Sequence, residues 1–211
     1  MISPAPSVPL LRRLPRGRLF LLLSCLLAST AHASLQVYVQ DTGGRALVDA
    51  VVYAEPIDGP VPKAARGAEI EQKEKRFLPA VTVVQAGTSI SFPNRDTVRH
   101  HVYSLSPAKV FDLKLYAGDP PNPVTFDKPG TVVIGCNIHD QMAAWIHVVS
   151  TPHFGKTDST GKVRIEGMPS GRYRLKAWHP GLPPGAPPAE QVFNHTGGEA
   201  SASITLNARM R

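Results

Sequence analysis

From residue 35 onward the chain alternates apolar and polar positions in short runs. Leu35, Val37 and Val39 alternate with polar partners, Asp41-Thr42-Gly43-Gly44 has turn chemistry, and Val51-Val52-Tyr53 resumes a β-branched run. Residues 35 to 54 therefore read as two strands, and the Pro- and Gly-rich stretch from Pro56 to Gly67 reads as a connecting loop. Further strands are expected over Phe77 to Val84, Thr88 to Phe92, His101 to Leu105 and Val110 to Leu115, with a Pro-rich turn at Asp119 to Pro123. Val124 to Asp127, a turn at Pro129-Gly130, and Thr131 to Cys136 follow. Ala143 to Val149 then puts Ile146 and Val148 on one face and Trp145 and His147 on the other. Short strands at this spacing indicate an all-β sandwich or barrel.

One stretch departs from ordinary strand-and-turn chemistry. Val132-Val133-Ile134-Gly135-Cys136-Asn137-Ile138-His139-Asp140-Gln141-Met142 delivers a cysteine, a histidine three positions on and a methionine three further. A thiolate, an imidazole and a thioether in one turn make a soft donor set, and a His₂Cys centre with a weak axial Met is the blue-copper arrangement. A second histidine must come from elsewhere, and Asn94 to Val102 offers His100 and His101. The two face opposite sides of a strand, and His100 shares its face with Val98 and Val102, which favours His100 as the inward one. The other histidines beyond residue 33, His147, His153, His179 and His195, lack ligand spacing and are expected in surface or packing roles. Asn94 and Asp96 read either as turn residues or, for Asn94, as a hydrogen bond across to the ligand loop. Trp178-His179-Pro180 reads as an aromatic anchor.

Composition narrows the classes. Arg12, Arg13, Arg16 and Arg18 precede the apolar run Leu19 to Ala28, and Ala31-His32-Ala33 is a small-x-small cleavage site, so residues 1–33 read as an export leader. The leader also contains Leu22-Leu23-Ser24-Cys25, a loose lipoprotein box, and Arg12-Arg13, a poor twin-arginine match; the export route stays open. No later stretch approaches the roughly 20 apolar residues of a membrane span. The formal charge of +7 includes four of the 23 basic residues in the leader and none of the 16 acidic ones, which leaves about +3 beyond it. No basic stripe interleaved with aromatics is present, so nucleic acid is not implied. With Cys25 removed alongside the leader, Cys136 is the lone thiol of an exported chain and has no intrachain disulfide partner.

Residues 70 to 150 resemble a cupredoxin, the blue-copper fold of plastocyanin, pseudoazurin and amicyanin. Cys136-x-x-His139-x-x-Met142 is similar to the short amicyanin loop. Phe126-x-x-x-Gly130-Thr131 has the spacing of the strand that delivers the cysteine, and Phe92-Pro93-Asn94 through His100-His101-Val102 matches the segment carrying the first histidine. The resemblance implies one copper held by His100, Cys136, His139 and Met142, with His101 where those proteins carry Asn and Ile138 where they carry Pro. The whole chain resembles bacterial periplasmic methylamine-utilisation proteins. Leu35 to Tyr53 and residues 154 to 179, with Thr157-Asp158-x-x-Gly161 and Met168-Pro169-x-Gly171-x-Tyr173-x-Leu175, resemble a carboxypeptidase-regulatory or transthyretin-like sandwich.

The expected architecture is thus a leader at 1–33, a cupredoxin Greek-key sandwich at 70–150, and a second small sandwich from 34–69 and 151–211 around or beside it. The expected function is single-electron carriage by a monomeric, non-catalytic periplasmic protein. Its partners would be redox proteins such as c-type cytochromes or an amine dehydrogenase, docking around His139 on Ile138, Asp140, Gln141, Ala143 and Ala144. Two other classes stay open: a copper-binding structural or carrier module without a redox partner, and a thiol hydrolase using Cys136 with His139 and Asp140.

Overall fold

The computed structural model describes residues 33–63, 66–120 and 122–209; the expected leader lies outside the described residues except for Ala33. Among these, no helix is long and apolar enough to cross a membrane. The structure is all-β. Strands β1 (Ser34–Asp41) and β2 (Val51–Pro56) come first, separated by a turn in which the Asp41 carboxylate accepts the N–H groups of Gly43 at 2.8 Å and Arg45 at 2.9 Å. Ten strands follow: β3 (Ala68–Glu69), β4 (Glu71–Lys73), β5 (Arg76–Leu78), β6 (Val81–Gln85), β7 (Thr88–Ser91), β8 (His100–Ser106), β9 (Lys109–Tyr116), β10 (Val124–Phe126), β11 (Gly130–Gly135) and β12 (Ala143–Val149). The last five are β13 (Phe154–Lys156), β14 (Lys162–Glu166), β15 (Gly171–Trp178), β16 (Ala189–His195) and β17 (Glu199–Leu206).

The middle strands form one sandwich, a five-stranded sheet in the order β6-β12-β11-β8-β9 and a three-stranded sheet in the order β10-β7-β3. After the β8–β9 hairpin the chain crosses to β10 in the other sheet and returns as β11 beside β8, a Greek-key-like path. Alternation explains the filling: Val132 and Ile134 are fully buried while Val133 between them is 44% exposed. Ile70, Phe77, Ile90, Phe92, Val102, Phe126 and Ile146 complete this core, with Phe92, Phe111 and Phe126 in mutual ring contact. The strand expected over Phe77 to Val84 is split around Pro79-Ala80, because proline offers no N–H to a ladder. Its first half, β5, pairs instead with β4 through a turn at Glu74 and Lys75, both with left-handed backbone (φ 53° and 55°).

Strands from the two ends of the described chain form the other sandwich, with sheets β14-β1-β17 and β13-β2-β15-β16. Strand β1 runs antiparallel to β14 and parallel to β17, so the last strand stitches down the first. Leu35, Val37, Val39, Val52, Ala54, Met168, Leu175, Ala177, Ile204 and Leu206 make up a separate apolar core. The two sandwiches meet at Val51, Tyr53, Val81, Val149 and Trp178. There His147 stacks on Trp178 with ring centroids 4.8 Å apart and lies 5.4 Å from Tyr53, while its Nδ1 is 3.0 Å from the Thr131 hydroxyl. His147 is therefore a packing residue, and Trp178 anchors one sandwich to the other. Burial pushes the His147 pKa down to about 4, against the opposing pull of the Glu55 carboxylate.

Candidate metal centre

The inward register of β11 runs through Val132 and Ile134 to Cys136, which is 5% exposed. Seven residues later, at Ala143, the chain re-enters the same sheet, and two backbone bonds close the loop: Cys136 N–H donates to the Met142 carbonyl at 3.2 Å, and Met142 N–H donates to the His139 carbonyl at 2.9 Å. Gly135 pairs with Ala143, so the next pair outward sets Cys136 opposite Met142. Cross-strand partners share a face. Cys136 and Met142 accordingly both belong to the buried apolar cluster of the middle sandwich.

His100, at the start of β8, is fully buried. Its Nδ1 lies 3.2 Å from His139 Nδ1, which in turn lies 3.9 Å from Cys136 Sγ. The donor atoms of His100, Cys136 and His139 all lie within 4.8 Å of one another, and the two imidazoles meet edge to face. Two imidazole nitrogens bonded at about 2.0–2.1 Å to one ion at a near-tetrahedral angle stand roughly 3.3 Å apart. The observed separation fits that requirement. One sulfur with two imidazole nitrogens is a donor set able to hold a soft or borderline metal ion.

His101 takes the other side of the strand. It is 8% exposed, its Nε2 is hydrogen-bonded to the Asp112 carboxylate, and its ring lies 5.2 Å from that of Tyr103. The inward choice of His100 therefore matches the structure, but one support for it does not. Val98 is 42% exposed and precedes β8, so the buried face is set by Val102 and Ser104. Nor does Asn94 reach the ligand loop: its amide donates to the carbonyls of Val98 and Tyr116, both at 2.9 Å, and its Oδ1 accepts the Asp96 N–H. This is turn chemistry, the plainer of its two expected roles.

Sequence reasoning left Asp96 as a turn residue, and the structure puts it beside the donor set. Asp96 Oδ2 is 2.7 Å from His100 Nε2 and 2.9 Å from the Lys75 N–H, and Oδ1 accepts the Glu74 N–H at 2.7 Å. Burial alone would raise this carboxyl; the Lys75 N–H, His100 and the Glu74 N–H outweigh it and hold the group below the usual carboxylate range. The one available signal was an aspartate four residues before the histidine. That spacing has no fixed meaning outside a helix.

His139 is half-buried where His100 is enclosed, and Ile138, Asp140, Gln141 and Ala143 around it are exposed. Ala144, expected in that patch, is fully buried because it follows Met142 on the inward register of β12.

No family model and no curated protein matches this chain. Solved structures similar to part of it include the Cu-containing nitrite reductase of Thermus scotoductus SA-01, at 23% identity and TM-score 0.38, covering 45% of this chain and 25% of that one. A purple cupredoxin from Nitrosopumilus maritimus matches at 19% identity and TM-score 0.35, covering 39% of this chain and 99% of that one. Amicyanin from Paracoccus versutus matches at 17% identity and TM-score 0.36, covering 46% and 98%. This chain thus spans about a quarter of the nitrite reductase and nearly all of the two smaller proteins.

Proposed function

We propose that the middle sandwich is a cupredoxin-type module that binds one copper ion and carries single electrons between redox partners. The observation that carries this reading is the convergence of His100 Nδ1, His139 Nδ1 and Cys136 Sγ at one end of a packed β scaffold. In it, His100, Cys136 and His139 would hold the metal, and Met142, from the same loop, would be a weaker fourth donor. Copper supplies a one-electron couple when bound. The chain supplies rigidity: the loop is closed by the Cys136–Met142 and Met142–His139 backbone bonds, and His100 is locked in a strand. A donor set that does not rearrange between oxidation states suits electron transfer.

The half-buried His139 is the exit in this reading, and its mostly uncharged rim fits the small, weak interface of a transient redox encounter. A c-type cytochrome or an amine dehydrogenase in the periplasm is the proposed kind of partner, met by a monomer. The end-strand sandwich, similar in its motifs to carboxypeptidase-regulatory domains, serves as a stability unit. A thiol hydrolase is disfavoured. Asp140 is exposed and makes no hydrogen bond to His139 among the described residues, so the Cys136, His139 and Asp140 arrangement that such an enzyme would use is not assembled.

Optical and EPR spectra of the purified chain with Cu(II) test the reading. One copper per chain and an intense visible band are expected, and Cys136→Ser should remove the band because the charge transfer needs a thiolate. A colourless copper complex, or an undiminished band in the variant, contradicts it.

A further inference from the structure

We propose that Asp96 is a positioning residue of the metal centre, fixing the tautomer and aim of His100, and that the turn between β4 and β5 locks Asp96 in place. The proposal rests on the reading of His100 as a ligand. An ionised carboxylate only accepts hydrogen bonds. With Asp96 Oδ2 2.7 Å from His100 Nε2, the ring proton resides on Nε2. Nδ1 then keeps its lone pair on the side where His139 Nδ1 lies 3.2 Å away. The ring is fully buried, so it cannot turn over by exchanging this partner for solvent.

The carboxylate is itself immobilised. Successive N–H groups in a turn form a cradle for an anion, and Glu74 and Lys75 aim theirs at Asp96 Oδ1 and Oδ2 at 2.7 and 2.9 Å. Both residues hold left-handed backbone, a conformation that non-glycine residues adopt at a cost. Asn94 Oδ1 accepts the Asp96 N–H at 2.9 Å and fixes its backbone. A hairpin that contributes nothing to the donor set thereby orients one of its members. Outer partners of this kind are worth about ten- to hundredfold in metal affinity.

An amide at this place would still present its oxygen to both His100 Nε2 and the Lys75 N–H, so Asp96→Ala makes the sharper variant. It removes the acceptor that selects the Nε2–H tautomer, and the Nδ1–H form, which cannot ligate through Nδ1, becomes populated. Long-range ¹H–¹⁵N NMR of the metal-free full chain at about pH 8, above the ordinary histidine range, reads the tautomer directly. His100 should carry its proton on Nε2 in the native chain and show a populated Nδ1–H form in Asp96→Ala, with copper bound about ten- to hundredfold more weakly by the variant. Asp96→Glu, which keeps the carboxylate, should retain the Nε2–H form and most of the affinity. An Nδ1–H His100 in the native chain overturns the proposal whether or not any variant folds, as does a folded Asp96→Ala with native tautomer and affinity. A native chain that binds no copper overturns the proposed function instead, and the tautomers still decide the role of Asp96.

Discussion

The two sandwiches are built from the same materials to different ends. The end-strand sandwich closes its core with aliphatic side chains, Leu35, Val37, Val39, Leu175, Ile204 and Leu206 among them, and its buried polar groups serve turns, as when Thr157 bonds Ala50 N–H at 2.8 Å and the Leu47 carbonyl at 2.6 Å. The middle sandwich spends one end of its core on Cys136 and Met142 and walls it with an enclosed imidazole, His100. Valine or leucine at these places would fill the space without the cost of desolvating a histidine. The difference teaches where to look: a buried donor set that packing alone does not require points to a ligand, and among the described residues the grouped His/Cys set lies in the middle sandwich.

The largest expected effect breaks the comparison at the other sandwich. Leu175→Ala removes a fully buried side chain from the aliphatic core and should cost about 2–5 kcal/mol in chemical denaturation. The optical spectrum of the copper-loaded native state should not change. A spectrum that moves with Leu175→Ala shows that the metal loop depends on the far core, and the division of labour falls.

A smaller effect sits where the two meet. His147 is 4% exposed between Trp178, Tyr53 and Thr131, with the Glu55 carboxylate as its charged neighbour, and its pKa is pushed down to about 4. Between its ordinary pKa and about 4, the unfolded chain takes up a proton that the folded one refuses. Stability should therefore fall as pH drops through that window and level off below it, by on the order of 3 kcal/mol in all. His147→Phe keeps the stacking and should flatten this part of the pH–stability curve. An equally steep curve in the variant assigns acid sensitivity to other groups.

How much of this was legible in the sequence varies by element. β1 and β12 are marked by alternation, and the Cys136, His139 and Met142 spacing alone marks the loop. The β4–β5 hairpin was silent, because its turn uses Glu74 and Lys75 in left-handed backbone where sequence reading looks for Gly or Asn. With it went the role of Asp96, whose partners are backbone N–H groups more than twenty residues away. His147 was visible only as a histidine without ligand spacing; its stacking on Trp178 is a contact between sandwiches that periodicity does not encode. Val98 and Ala144 were misplaced for local reasons: the first lies two residues before β8, outside its alternation, and the second follows the inward register of β12.

The smallest expected effect concerns the rim. Asp140 is exposed in the ligand loop, and a single rim charge mainly alters association rate and its salt dependence. Asp140→Lys should change the second-order rate of electron exchange in opposite directions with a basic and an acidic c-type cytochrome, an effect that shrinks with added salt. The copper spectrum should barely respond. Indifference to this charge at low salt with both partners would move the exit away from His139.

The contrast between the two sandwiches stands or falls on whether His100, Cys136 and His139 act as one donor set. X-ray absorption at the copper edge on the loaded full chain asks this directly. The account predicts one short copper–sulfur path and two imidazole shells, with the sulfur path lost in Cys136→Ser and one imidazole lost in His100→Ala. Nitrogen and oxygen neighbours alone in the native chain, or a spectrum unchanged by Cys136→Ser, would contradict it.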